Sequence, residues 1–498
     1  MHSSFRWIIL AVISCALLLV VIDMTVLYTA LPRLTQDLQA SATQKLWIVN
    51  AYPLTMAGML ISMGVLNDRY GARSFFNIGL MIFGTASVAA AFSVSPEMLI
   101  ASRVLLAAGA AAMMPATMAI VRNVFDDPAE RSMAIGIWSA VASGGAALGP
   151  VLGGLLLEYF WWGSVFLINV PIVLMVLLFS LKLIPSIAGD NTRVFNLSAA
   201  LQILAGLTAL IYAMKEFSKS SPQPGIALLS GITGVVMTVL FVRQQQRSAS
   251  PMLDLALFSN RYFTAGVIAA MISVACVIGV ELAVTQRLQL ILTMSPLMAG
   301  LFILPLPLAS FCAGPLVGWL VPFIGSFRAM LASLLVSAAG LSFYLVMYDN
   351  ALWLNMAALA ITGAGLGGAM TAASAAIILN SPENSSGTAA SIEGVAFEFG
   401  GAIGITLFGG LLSAMYSYDM SAIPDLPAQA QDSIDGAIIA AQSLASAERG
   451  ILLQLAEVAF IRGFIAVIAI SITLLLLTCV AIGICTRNKF LDVNSHNG

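Results

Sequence analysis

Five ionisable residues stand deep inside long apolar stretches of this chain: Asp23, Arg103, Glu281, Glu393 and Glu398. Charge is costly in such surroundings, so each is a candidate functional group by default. A carboxylate in a low-dielectric cavity can take up a proton near neutral pH and can equally pair with a cation. One group that binds either partner exchanges one for the other by competition. Asp23 is the first choice for such a site, and a structural carboxylate capped by Thr25 or Arg103 is its alternative. Arg103 reads as the group that tunes a carboxylate's proton affinity and relays a conformational change. Glu393 and Glu398 are five residues apart, about 140° around a helix, and do not face one point. Glu281 is either a further acid or a partner of Arg287. Tyr28, Trp47, Tyr52, Trp138 and Phe397 are candidate aromatic contacts for an organic cation, with core or lipid packing as their competing role.

A second pattern is mechanical. Gly136, Gly145, Gly149, Pro150, Gly153 and Gly154 fall in one apolar run with the spacing Gly-x8-Gly-x3-Gly-Pro-x2-Gly-Gly. Gly145, Gly149 and Gly153 recur every four residues and make a side-chain-free stripe on one helix face. The stripe reads as a surface on which this helix slides or seals against another bundle, with plain close packing as the alternative. Pro150 is expected to bend the helix. Gly136 lies on the opposite face and reads as a second close approach.

The elements that must position these groups are membrane helices. The chain has 498 residues, 60% of them hydrophobic and 9% charged, and its mean hydropathy is +0.98. A soluble domain carries about 25% charge. A spanning helix needs roughly 20 mostly apolar residues, and fourteen such runs are present: 7–31, 47–66, 74–92, 98–121, 132–158, 165–184, 197–213, 225–242, 263–288, 297–321, 330–348, 354–379, 387–415 and 458–485. The runs 197–213 and 225–242 are the weakest. Strand-like alternation is absent, which argues against a β-barrel. The first run contains Asp23, lacks a cleavage-site pattern and is kept as a membrane helix rather than a signal peptide. Basic residues favour one side of the runs, including Arg69, Arg73, Arg122 and Arg131. Both termini are therefore expected in the cytoplasm. Lys45, Lys215, Lys219 and Arg287 fall on the outer side in this reading. The long outer loop 416–457 is acidic, and its stretch 434–455 is apolar enough to fold back as a hairpin.

Composition excludes several classes. A net charge of −2 speaks against a nucleic-acid partner. The two histidines, His2 and His496, lie at the tails, and the five cysteines have no metal-site spacing. No metal site, catalytic centre, phosphate-binding loop or cofactor is expected, which leaves a membrane enzyme or receptor without a chemical basis and argues against direct ATP drive.

An internal repeat organises the runs. The segment 64–73 reads GVLNDRYGAR, and 318–328 reads GWLVPFIGSFR. Both have glycines seven apart, leucine two after the first glycine, and a basic residue after the second. Two six-helix bundles with two inserted helices fit this repeat, with boundaries at 1–184, 185–255 and 256–498. Gly64, Asp68, Arg69, Gly71 and Arg73 read as a gate whose charges pair across bundles and cap helix ends. A solvated, positive loop is the alternative.

These residues resemble a family. The segment 64–73 looks like the signature loop of the major facilitator superfamily. Arg103 and Gly109, within 99–109 (LIASRVLLAAG), resemble its fourth-helix motif, and the glycine-proline spacing of 136–154 is similar to its antiporter motif. The stretches 22–32 (IDMTVLYTALP), 46–52 (LWIVNAY) and 166–171 (FLINVP) resemble the 14-helix drug:proton antiporter branch, nearest to bacterial efflux proteins for quaternary ammonium antiseptics and methyl viologen. Asn50 stands where that branch often has an acid. The resemblance implies an all-α major facilitator fold of fourteen helices in the bacterial inner membrane. It implies a monomer that exports lipophilic organic cations in exchange for protons and needs no cofactor beyond the proton gradient. It also places Asp23 on a cavity-lining helix and favours Glu393 over Glu398 as a cavity acid. Transport of a metabolite such as an amino acid or siderophore is the other reading.

Overall fold

In a bilayer every backbone amide and carbonyl needs a partner within the protein, so an apolar chain of this kind can cross only as helix or closed barrel. The computed structural model is helical throughout and describes residues 3–494, apart from 41, 187–188, 191–194, 218–222, 249–250, 252, 254, 295, 383–384, 424–425, 428–429, 432, 443 and 445. Among the described residues, thirteen helices are long and apolar enough to cross a membrane. The run expected at 132–158 is a continuous helix of 32 residues, several of whose side chains are not described. With it, every expected run coincides with a helix.

The helices are α1 Ser3–Asp37, α2 Ala42–Tyr70, α3 Ala72–Ala91, α4 Pro96–Val124, α5 Pro128–Tyr159, α6 Ser164–Leu183, α7 Leu197–Phe217 and α8 Pro224–Arg247. They continue as α9 Arg261–Ile291, α10 Met298–Ile324, α11 Ser326–Met347, α12 Leu352–Leu379, α13 Ser386–Ser421 and α14 Ser446–Asn494. Starts are set by local chemistry. Ser95 caps α4 by accepting from Met98 N, and Asp127 caps α5 by accepting from Glu130 N, each followed by proline at the first helical position.

The packing resolves into two main cores. One is drawn largely from α1–α7, the other from α9–α14. α8 keeps one thin buried side and shows Leu228, Leu229 and Val235 outward. A small third cluster, Leu54, Ala57, Ile211 and Ala402, lies where α2, α7 and α13 meet. The apolar part of the long loop forms the helix Ile434–Ala441, whose Ile434, Ala437 and Ala441 are buried in the second core.

The repeat is visible in backbone geometry. Gly71 (φ 90°, ψ 138°) is the whole connection between α2 and α3, and Gly325 (φ 81°, ψ 148°) that between α10 and α11. Both φ values are positive, which favours glycine. The first glycines of the repeat correspond as well. Gly64 on α2 abuts Gly387 and Ser391 of α13, and Gly318 on α10 abuts Ser132 of α5. Each is a backbone-close contact between one bundle and the other. We call the end of the molecule carrying these contacts, and the start of α1, the terminal face.

The glycine stripe of α5 faces a different neighbour from the expected one. Gly145 lies against Leu18 and Val21, Gly149 against Thr25 and Val26, and Gly153 against Val26 and Thr29, all on α1 of the same bundle. The hydroxyls of Thr25 and Thr29 lie nearest the stripe and are satisfied on their own helix, at Val21 O (3.0 Å) and Val26 O (3.0 Å). Gly154 has open space beside it. Gly136 meets the other bundle: a methyl group there would lie 2.5 Å from Gly314 O and 3.1 Å from Pro315 Cα of α10. The roles are thus exchanged, because the stripe faces α1 and the opposite side of α5 faces α10. Pro150, and with it the bend expected there, lies outside the described residues.

Two glycine substitutions should therefore part company. Gly149→Leu is expected to lower thermal stability by about 1–3 kcal/mol, since it overpacks a contact inside one bundle. Gly136→Leu should leave each bundle folded and prise the terminal face open. The check is labelling of an introduced Ser132→Cys by a membrane-impermeant maleimide in a cysteine-free background, which should rise only for Gly136→Leu.

Candidate functional site

The buried charges separate into a sealed pair and a group around a cavity. Asp23 of α1 is fully buried, and Arg103 of α4 donates to its carboxylate at 2.7 Å. Asn169 of α6 donates to the other carboxylate oxygen at 3.1 Å and also to Ser87 at 3.3 Å. The guanidinium lies 4.5 Å from the centre of the Tyr52 ring. Coulomb attraction at contact, an amide bond and a cation–π face thus offset the cost of burying both charges. The Thr25 hydroxyl bonds its own helix and does not reach Asp23. Asp23 is thus the buried partner of an ion pair with Arg103, the alternative that the sequence left open, and it does not line the cavity described next.

The cavity adjoins this pair. It measures about 110 Å³ and is lined by residues of α1, α2, α4, α7, α9 and α13. Its polar lining comes from Tyr52, Arg103, Lys215 and Glu398, and its walls from apolar groups such as Leu27, Ile211 and Ile278. Glu398 makes no hydrogen bond among the described residues. The Tyr52 hydroxyl is buried and likewise has no partner. Drug-sized pockets hold about 300–1,000 Å³, whereas this volume suits a few waters. The cavity is therefore contracted in this conformation.

Glu393 is elsewhere. It is buried between α13 and α12, where Ser374 donates to it, and it does not line the cavity. Glu398 rather than Glu393 lines this cavity, and the reason is helix phase. Gly387, Ser391, Gly394 and Glu398 share the face of α13 turned to the first bundle, while Glu393 is on the face turned to α12. Glu281 is exposed on α9 and lies outside the lining. Its alternative partner Arg287 is instead buried over the rings of Tyr348 (5.2 Å) and Phe464 (5.6 Å).

Of the four aromatic candidates whose side chains are described, Tyr52 alone lines the cavity. Trp138 is buried in the first core and donates to Thr117 at 3.1 Å. Trp47 stacks on Tyr212, and Phe397 packs on the second core. The Tyr28 side chain lies outside the described residues. Lys215 escaped the sequence reading, which set it on the outer side. It ends a weak apolar run, and nothing in its neighbourhood marks it as facing inward.

The segment expected to act as a gate ties helix ends together across the two bundles. Asp68 accepts from Gly387 N (2.9 Å), Thr388 N (3.1 Å) and Thr388 Oγ1 (2.7 Å), so it caps the N-terminus of α13 from the other bundle. Arg122, at the end of α4, donates to Ile378 O (2.6 Å) and Ser381 Oγ (2.7 Å) at the C-terminus of α12. A carboxylate thus meets the positive end of one helix and a guanidinium the negative end of its neighbour. Arg73 caps α6 within its own bundle, at Leu181 O (2.5 Å), and Arg69 lies 5.5 Å from the Tyr70 ring. Gly64 and Asp68 therefore bridge the bundles, Gly71 makes the turn, and Arg69 and Arg73 brace the loop. Arg122 was missed as a gate residue, since a basic residue after a membrane helix reads as a topology signal.

Comparison with known proteins agrees with this architecture. The family model for the Major Facilitator Superfamily matches residues 13–405. The methyl viologen resistance protein SmvA of Salmonella typhimurium is 39% identical, over 95% of this chain and 97% of its own. The multidrug efflux pump LfrA of Mycolicibacterium smegmatis is 35% identical, over 97% and 96%. The solved structure of the human organic anion transporter TETRAN superposes with a TM-score of 0.63 at 14% identity, covering 95% of this chain and 100% of that one, and so supports the fold alone.

Removing the two acids should have unequal costs. Asp23→Asn leaves a buried guanidinium without its counter-charge, which typically costs about 3–5 kcal/mol. Glu398→Gln removes a carboxylate that bonds nothing. Thermal unfolding in detergent should show a large drop in midpoint for Asp23→Asn and a small one for Glu398→Gln.

Proposed function

This chain belongs to the Major Facilitator Superfamily, and from that membership we propose that it is a proton-coupled exporter of lipophilic organic cations in the bacterial inner membrane. It is a transporter, not an enzyme. The observation that carries the proposal is Glu398: a carboxylate with no hydrogen bond among the described residues, in a largely apolar cavity whose other polar lining is Tyr52, Arg103 and Lys215. An apolar wall suits a lipophilic cargo, and a lone carboxylate suits a positive charge or a proton. The likeness to a methyl viologen resistance protein and a multidrug efflux pump supports the same class of cargo.

In this reading the terminal face is cytoplasmic, with both chain ends there, which suits the arginines along it. With that face open, a cation enters and takes Glu398. With it latched by Asp68 and Arg122, the cavity communicates with the other side, where a proton replaces the cation. Reopening delivers the proton to the cytoplasm. The Asp23–Arg103 pair acts beside the site. Arg103 shares the cavity wall with Glu398, so a change of charge there alters the field on the pair and the packing of α1, α4 and α6. Antiport needs only that the latch and the cavity respond to the same occupancy.

The test is transport in proteoliposomes with an acidic interior. Outward proton flow should drive ethidium inward, and nigericin should abolish the uptake. Glu398→Gln should abolish it at any gradient. Uptake that persists unchanged after the gradient is collapsed would refute proton coupling.

A further inference from the structure

The two helices inserted between the bundles do more than connect them. α7 is wedged in the seam between α2 and α13. Thr208 donates to Leu54 O of α2 at 3.2 Å, and Thr406 of α13 donates to Met214 O at 3.0 Å. On α2, Gly58 makes room for it: a methyl group there would lie 2.5 Å from Leu204 Cδ1 and 2.6 Å from Thr208 Oγ1. Tyr212 stacks on Trp47, with ring centres 6.0 Å apart. These contacts set the rotation of α7, and with it the side chain that follows Met214.

That side chain is Lys215, and it lines the cavity together with Glu398. Its ammonium donates to Asn50 Oδ1 of α2 at 2.9 Å. Glu398 interacts with it electrostatically, yet the two do not meet as an ion pair. The ammonium has three donors on a flexible four-carbon stem. Here it is parked on a neutral amide, with an unbonded carboxylate in the same small space.

We propose that Lys215 is a tethered counter-cation that competes with cargo for Glu398 and so determines which cations the cavity accepts. This rests on the reading of the cavity as an organic-cation site. The ammonium exchanges between Asn50, where it leaves Glu398 free, and the carboxylate, which it then occupies. A cation must then displace it, and its apparent affinity falls by the fraction of time that Glu398 is free. A bulky, apolar cation gains burial against Leu27, Ile211 and Ile278 that the ammonium does not. A small, well-hydrated cation gains nothing comparable and is rejected. The inserted helix is thereby a selectivity element.

The experiment is isothermal titration of the full chain in detergent with tetraphenylphosphonium and with tetramethylammonium. Lys215→Met and Lys215→Gln should each tighten tetraphenylphosphonium binding about tenfold and bring tetramethylammonium into the measurable range. Lys215→Arg, which keeps the charge, should bind as the wild type does. The gain should vanish when Glu398→Gln is added. Unchanged or weaker binding by folded Lys215→Gln, or a gain that survives Glu398→Gln, overturns the proposal. Should neither neutral variant fold, Asn50→Asp decides. It holds the ammonium away from Glu398, so it should tighten binding in a Glu398-dependent way, and no such gain overturns the proposal. A wild type that binds neither cation refutes the cation-site reading itself, an outcome distinct from the others.

Discussion

The structure depends on the cost of placing charge where water is absent. An uncompensated ion at membrane depth is worth several kcal/mol against folding. Asp23 and Arg103 can therefore be buried only together, and only with the further bonds that Asn169 and the Tyr52 ring supply. That requirement ties α1, α2, α4 and α6 to one point and makes the first bundle a unit. It also explains why the remaining charges sit where they do. Glu398 and Lys215 are tolerated because they face a cavity rather than lipid or a dry core. The ion pair is stabilised by its neighbours, and the cavity charges by their access to a space that can hold water.

A second constraint follows from the first. Lipid tails are as apolar as leucine, so helices in a membrane are not driven together by the hydrophobic effect and associate where backbones can approach closely. Glycine is used here for two separate tasks. Along α5 the stripe from Gly145 to Gly153 fastens α1 inside a bundle. At Gly136, Gly314 and Gly318 backbone meets backbone between bundles, and at Gly64 it meets Gly387 O and the small Ser391 side chain. Contacts of the second kind hold no interlocked side chains. They can separate and re-form without repacking a core, which is what a moving interface needs.

What could be read from the sequence divides along the same line. Helix positions and the repeat were legible, because each depends on the local run of residue types. Gly71 and Gly325 were found by spacing alone and share one backbone conformation. Facing was not legible. Glu393 and Glu398 were known to point apart, but which of them meets the cavity depends on how α13 is rotated against α2. The glycine stripe was recognised as an interface, but its partner depends on which side of α5 faces α1 and which faces α10. Lys215 was assigned to the outer side, since a lysine at the end of a weak apolar run looks like an anchor. Only the wedging of α7 between α2 and α13 turns it inward.

The repeat also exposes an asymmetry with mechanical meaning. Position 68 of the first copy corresponds to 322 of the second, and the residues are Asp68 and Pro322. Asp68 reaches across to cap α13, whereas the equivalent end of α5 is capped by its own Asp127. Two-fold related bundles thus meet through related glycines on both sides but are latched by charge on one. A symmetric interface lets the bundles rock about a central axis. The charged contact is confined to one of the two related sites, and it falls on the end of a single helix, α13. That helix also carries Glu398, twelve residues into the membrane from Ser386 and about 18 Å along the axis. The helix end held by Asp68 and the carboxylate that lines the cavity therefore lie on one continuous helix, Ser386–Ile403.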